Sequence, residues 1–148
     1  MTLDRSFIER NRAATERIRQ MTKLSDEDLT TPVGEHWTVA VLLAHLAFWD
    51  QRVLFALEKT EQDGKLFAHQ ADIYVNDYVL PLLVAIPPRE AVRVALESAE
   101  ALDGRLESFP QALTDEVNQY NPRWVNRSLH RNDHLNEAEA ALRGREAA

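Results

Sequence analysis

The spacing of apolar residues between positions 92 and 109 constrains the fold of this chain more than any other feature. Val92, Ala95, Ala99, Leu102, Leu106 and Phe109 are separated alternately by three and four residues. This spacing places all six on one side of an α-helix, so it predicts a helix over 89–108. Pro88 suits its first turn and Pro110 ends it. A helix with one apolar stripe is stable only when that stripe packs against a partner.

Three more segments repeat this helical pattern. They predict long helices over 4–23, 38–59 and 124–143, and a short helix over 73–86 that Pro81 interrupts. The intervening stretches at 23–36, 60–70 and 111–123 are polar or contain turn residues, and are predicted as loops. The sequence thus predicts an all-α fold: a four-helix up-and-down bundle with a short extra helix between the second and third long helices. Residues 1–148 are expected to form a single domain.

The composition limits the possible partners. With 24 acidic and 17 basic residues the formal net charge is −7, which argues against binding to nucleic acid or anionic lipid. The chain has no cysteine, so any metal site must use nitrogen and oxygen ligands. The N-terminal sequence lacks the apolar core of a signal peptide, and Asp50, Gln51 and Arg52 interrupt the most apolar stretch. A soluble, cytoplasmic protein that binds neither nucleic acid nor membrane is expected.

Several common catalytic motifs are absent from the sequence. There is no HExxH of zinc proteases, no GxSxG, no GxGxxG and no phosphate-binding P-loop. The ExxH pairs of ferritin-like di-iron proteins are also missing. Candidate chemistry therefore rests on the histidines.

Three histidines form the candidate site. His130 and His134 are four residues apart in SLHRNDHLNEAEAAL, so they share one face of the predicted last helix. His45 lies within the apolar run VAVLLAHLAFW and is expected to point into the core. If the two helices bring them to one level, the three imidazoles can hold a divalent metal and leave a position open. Imidazole ligands suit Zn, Ni and Fe alike.

A simpler interpretation stays open at this point. A lone buried histidine is often hydrogen bonded to a carbonyl or hydroxyl group, and two histidines four apart occur by chance on solvated helix faces. On this view the three histidines belong to an ordinary bundle.

Two segments resemble a known family. EHWTVAVLLAHLAFWDQR (35–52) and SLHRNDHLNEAEAAL (128–142) are similar to the opening and closing motifs of the DinB/YfiT-like family, which includes the maleylpyruvate isomerase N-terminal type. The resemblance covers nearly the whole chain. It implies an up-and-down four-helix bundle in which His45, His130 and His134 hold a divalent metal. It also implies a homodimer, and an activity as a thiol-dependent transferase or isomerase, or as a hydrolase.

These features lead to a functional hypothesis: a metal-dependent enzyme acting on a small electrophilic substrate. A low-molecular-weight thiol would be supplied from outside, because the chain has no cysteine. Trp49 is expected to wall the pocket, and Arg127 and Arg131 to hold a carboxylate of substrate or cofactor. Those two arginines could instead be solvated residues at a helix rim. The alternatives are a non-catalytic protein that binds or sequesters a metal or small molecule, and a metal-free bundle.

Overall fold

A computed structural model describes residues 3–147, and the chain over these residues is mostly helical. A 3-10 turn, Met21–Lys23, follows the first helix, and two short strands, β1 Pro32–Val33 and β2 Trp37–Thr38, pair antiparallel. The helices are α1 Phe7–Gln20, α2 Asp26–Leu29, α3 Val39–Asp63, α4 Val75–Val84, α5 Pro88–Ser108, α6 Gln111–Tyr120, α7 Pro122–Val125 and α8 Ser128–Ala147. The predicted all-α class is confirmed.

The long helix α3 has local start and stop signals. The Thr38 hydroxyl accepts a hydrogen bond from the Val41 N–H at 3.2 Å, which satisfies one of the free donors of the first turn. Gly64 ends the helix with φ +69°, a left-handed conformation that glycine adopts without strain. The helix thus begins within one residue of its predicted start at position 38, and it extends four residues beyond its predicted end at Lys59.

The loop predictions were wrong in two places. Within 23–36, Ser25 and Asp28 form a reciprocal capping box that begins α2, and the β hairpin follows. Within 111–123, Pro110 precedes a full helix, α6, instead of irregular chain. The last long helix begins at Ser128, after α7 ends at Val125, and not at Trp124 as predicted.

The four long helices surround a common core, but not in chain order. The main contacts join α1 with α5, α5 with α3, α3 with α8, and α8 with α1. The order around this ring is thus α1, α8, α3, α5. These contacts support an all-α architecture without establishing the finer prediction of an up-and-down four-helix bundle, in which neighbours normally follow chain order.

The arrangement buries the first part of α3 deeply. All of its first nine residues are buried, and Leu42, Leu43 and Leu46 are fully enclosed. By length and composition α3 could cross a membrane, but 67% of its apolar window is buried inside the protein, as in the core helix of a soluble domain. Its apolar character is therefore accounted for by packing against α5 and α8.

Candidate metal centre

The structure brings the three predicted histidines together. His45 comes from α3, and His130 and His134 come from successive turns of α8. One ring nitrogen from each lies within 4.8 Å of the other two, and the Nε2 atoms of His45 and His130 are 3.3 Å apart. This group could hold a metal ion, since one nitrogen from each ring converges on the same point.

The β hairpin and α3 build an aromatic wall around this group. The hairpin places the Trp37 ring centroid 4.6 Å from that of His45 and 5.6 Å from that of His134. Trp49, one helical turn after His45, donates from its indole N–H to the Asn76 side chain at 2.9 Å. The histidines open into a cavity of about 350 Å³, which is also lined by Asn121, Arg123 and Trp124. This volume suits a small organic molecule.

Burial keeps the imidazoles neutral. The pKa of His45 falls to about 3, mainly through desolvation, with smaller contributions from nearby His134 and Arg127. The pKa of His130 falls to about 2, again mainly through desolvation and then through the charge of Arg127. Desolvation also lowers the pKa of His134, although Glu137 and Asp133 oppose it. At neutral pH each ring therefore retains a lone pair, which metal binding requires.

Arg127 fixes the proton position on His130. Its Nη2 lies 3.2 Å from His130 Nδ1. A guanidinium can only donate, so Nδ1 is the acceptor, and the proton of a neutral His130 lies on Nε2. A neutral His130 could therefore bind a metal through Nε2 only after its proton moves from Nε2 to Nδ1, which would require the contact between Arg127 and Nδ1 to open.

Both predicted arginines belong to a buried ionic cluster around Asp50. Arg127 Nε lies 2.9 Å from Asp50 Oδ1, and Arg131 Nε lies 3.0 Å from Oδ2. Arg131 Nη1 also contacts Asp103 at 2.8 Å. The side chains of Asp50, Asp103 and Arg131 are 0% exposed, so this part of the cluster lies wholly inside the protein, and only Arg127 reaches the cavity.

The two arginines differ in their access to the cavity. Arg127 lines it, although its nitrogens already contact Asp50, His130 and the Arg123 carbonyl. Arg131 is fully enclosed, and the acceptors around it belong to the protein, including the Asn11 carbonyl and the Thr15 hydroxyl. Arg131 thus has no surface for contacting a cofactor, and its predicted binding role is not retained.

The residues present fit a divalent metal. His45 Nδ1 and His134 Nδ1 are buried and have no hydrogen-bond partner, an arrangement that costs free energy unless something else satisfies them. Glu137 Oε1 approaches His134 Nδ1 at 3.3 Å, within ion-pair distance if the ring is protonated. Three imidazoles and no thiolate form a donor set suited to Zn, Ni or Fe(II).

Sequence reasoning missed part of the lining. Trp37, Asn76, Asn121, Arg123 and Trp124 all face the cavity, and none was expected there. One feature of the site could be predicted from the sequence. Asp50 lies within an apolar helix, and a buried carboxylate needs a cationic partner. Arg127 and Arg131, four apart on the last helix, were the available partners.

The fold and the site together define a class of protein. It is a helical protein in which three histidines could hold a metal ion at a cavity lined by tryptophans. The family model described as mycothiol maleylpyruvate isomerase N-terminal domain matches residues 11–145, and the chain belongs to this DinB-like family. Comparisons with curated proteins and with solved structures gave no match.

Proposed function

We propose that this protein is a metal-dependent enzyme that uses a low-molecular-weight thiol to transform a small electrophilic substrate, as a transferase or isomerase. The observation that carries the proposal is the convergence of three neutral imidazoles, two with unpartnered buried nitrogens, on a cavity large enough for a substrate. The four long helices would act as one bundle that holds this group in place. The family description, which names mycothiol and maleylpyruvate, gives the first thiol and substrate to test.

Each part of the site has a role in this proposal. A bound divalent metal would supply Lewis acidity and would favour the thiolate over the thiol. His45, His130 and His134 would hold it, each through a ring nitrogen that carries no proton, and Arg127 would stay paired with Asp50 beside the His130 ring. Trp37 and Trp49 would exclude water from the reacting atoms.

A hydrolase fits the cavity less well than a thiol transferase or isomerase does. Among the described residues that line the cavity there is no aspartate or glutamate that could serve as a general base. A thiol-dependent reaction needs no such base once the thiolate is formed. The same observation also suits the alternative function, a protein that binds a metal or small molecule without turnover.

Metal content is the first test. We expect about one equivalent of Zn, Ni or Fe by mass spectrometry in untagged wild-type protein, and its loss in both His45→Ala and His134→Ala. His36→Ala, which removes an exposed histidine outside the cavity, is the matched control and should keep the metal. Wild-type protein that binds no metal even after reconstitution would overturn the proposal.

Turnover then separates the enzyme from the binding protein. Metal-loaded protein should accelerate the mycothiol-dependent cis–trans isomerisation of maleylpyruvate, or thiol transfer to another small electrophile. A loaded protein that binds these molecules tightly and leaves their reaction rate unchanged would favour the binding function.

A further inference from the structure

The charge around the candidate site is opposite to that of the whole chain. A second cavity of about 260 Å³ adjoins the metal cavity, and Trp49, Asn121 and Trp124 line both. Although the chain carries 24 acidic residues and a net charge of −7, no carboxylate side chain from the described residues lines either cavity. Three arginines do, namely Arg52, Arg123 and Arg127. This reversal of charge favours a negatively charged ligand.

Of these three arginines, Arg52 is the one whose charge is least compensated. Arg127 is paired with Asp50, and Arg123 with Asp133 at 3.4 Å. Within residues 3–147, no carboxylate lies within ion-pair distance of Arg52. Its Nη2 donates to the His69 carbonyl, whereas its Nη1 is buried with no hydrogen-bond partner.

Such an arrangement costs free energy in the absence of a ligand. A desolvated guanidinium nitrogen without an acceptor has lost its hydration and gained no protein hydrogen bond. The Trp124 ring, whose centroid is 5.4 Å from the Arg52 guanidinium carbon, compensates only part of that loss. A planar guanidinium is well suited to a carboxylate, which it can bind through two parallel hydrogen bonds.

We propose that the second cavity is an anion subsite in which Arg52 binds the carboxylate end of a ligand whose other end lies at the three histidines. Trp49 and Trp124, which line both cavities, would flank the part of the ligand that joins the two ends. This inference deepens the proposed function by naming the substrate class: a small carboxylic acid with its reactive carbon or sulfur separated from the carboxylate. The position of the reactive end rests on the proposed function, whereas the Arg52 subsite does not require a metal.

Two probes separate these parts. The first is 6-mercaptohexanoate, which carries a thiol and a carboxylate, and its uncharged partner is 6-mercaptohexan-1-ol. The second is adipate, which has no thiol. Binding to metal-loaded and metal-free protein would be followed by tryptophan fluorescence, because Trp49 and Trp124 line both cavities, and confirmed by calorimetry.

The variants are Arg52→Gln, Arg52→Lys and the control Arg93→Gln, which makes the same charge change on an exposed arginine of α5. We expect Arg52→Gln to weaken the binding of 6-mercaptohexanoate and of adipate about tenfold or more. The affinity for 6-mercaptohexan-1-ol should stay unchanged. Arg52→Lys should retain part of the affinity, and Arg93→Gln all of it. The metal content should be the same in all four proteins.

The outcomes are distinguishable. If Arg52→Gln and Arg93→Gln bind both carboxylates as tightly as wild type, or if the mercaptoalcohol binds as well as the acid, the anion subsite is overturned. A different result would separate the two proposals. If Arg52→Gln weakens adipate binding, but metal-loaded protein binds 6-mercaptohexanoate no more tightly than metal-free protein does, the anion subsite stands and the metal–thiol proposal fails.

Discussion

At the scale of single residues, Asp50 connects the candidate site to the core. It is fully buried and bridges Arg127, which contacts His130, to Arg131, which contacts Asp103. A buried arginine without an anionic partner would be strongly destabilising, and the Asp50 carboxylate provides that partner for both arginines. Asp50 therefore positions the histidine group indirectly: it holds Arg127, and Arg127 contacts His130.

Removing this carboxylate should destabilise the protein strongly. Asp50→Asn keeps the shape of the side chain but leaves Arg127 without its carboxylate partner and Arg131 with only Asp103. We expect a loss of about 3 to 5 kcal/mol in the free energy of unfolding, measured by urea titration. Glu97→Gln, which breaks the exposed ion pair with Arg93, is the control and should change stability far less. A similar loss in both variants would contradict the bridging role.

The three histidines could be found from sequence, whereas the roles of the arginines could not. Helical spacing alone puts His130 and His134 on one face, and the apolar surroundings of His45 direct it inward. Whether Arg131 faces a cavity or an internal carboxylate depends on the rotation of the last helix about its axis. That rotation is fixed by packing with α1, where Asn11 and Thr15 contact Arg131, and no local pattern reports it.

At the scale of secondary-structure elements, the ends of α3 determine where His45 lies. Thr38 caps the first turn and is also the last residue of the hairpin that carries Trp37. The β2 strand and the helix therefore join directly, and this junction holds Trp37 against His45. The start of α3 was predictable because a capping residue preceded an apolar run. The helices at 26–29 and 111–120 do not follow from the sequence pattern, because their polar composition is also typical of loops.

The capping hydrogen bond gives an element-scale prediction. Thr38→Ala removes the acceptor for the Val41 N–H and should lower the free energy of unfolding by about 1 kcal/mol. Thr38→Ser retains the hydroxyl and should stay close to wild type. Urea unfolding of the three proteins is the measurement. If serine and alanine are equally destabilising, the methyl group of Thr38 is the important feature and not its cap.

At the scale of the whole molecule, the order of the helices was beyond the reach of the sequence. Apolar stripes identify the helices that pack, but they do not specify which stripe meets which. The ring order α1, α8, α3, α5 brings α3 beside α8, and that single contact unites the three histidines. The predicted homodimer stays a prediction.

Burying three histidines together also makes the stability of the whole protein depend on pH. Desolvation depresses the pKa of His45 to about 3 and that of His130 to about 2, and it also lowers that of His134. In the unfolded chain these rings regain a pKa near 6.5. Between that value and the folded-state values the unfolded protein binds more protons, so stability is highest above pH 6.5 and falls as the pH decreases.

The metal-free protein should therefore lose stability between pH 7 and pH 5, a window above the range in which carboxylates of the unfolded chain titrate. His45 and His130 each contribute a slope that approaches about 1.4 kcal/mol per pH unit at the acidic end of the window, and His134 adds to it in the same direction. Urea unfolding at several pH values would measure it. His45→Gln should reduce the slope by about one histidine's share, and His36→Gln, which replaces an exposed histidine, serves as the matched control. An unchanged slope in His45→Gln would show that His45 is protonated in the folded protein, and would remove the argument that burial prepares this ring for a metal.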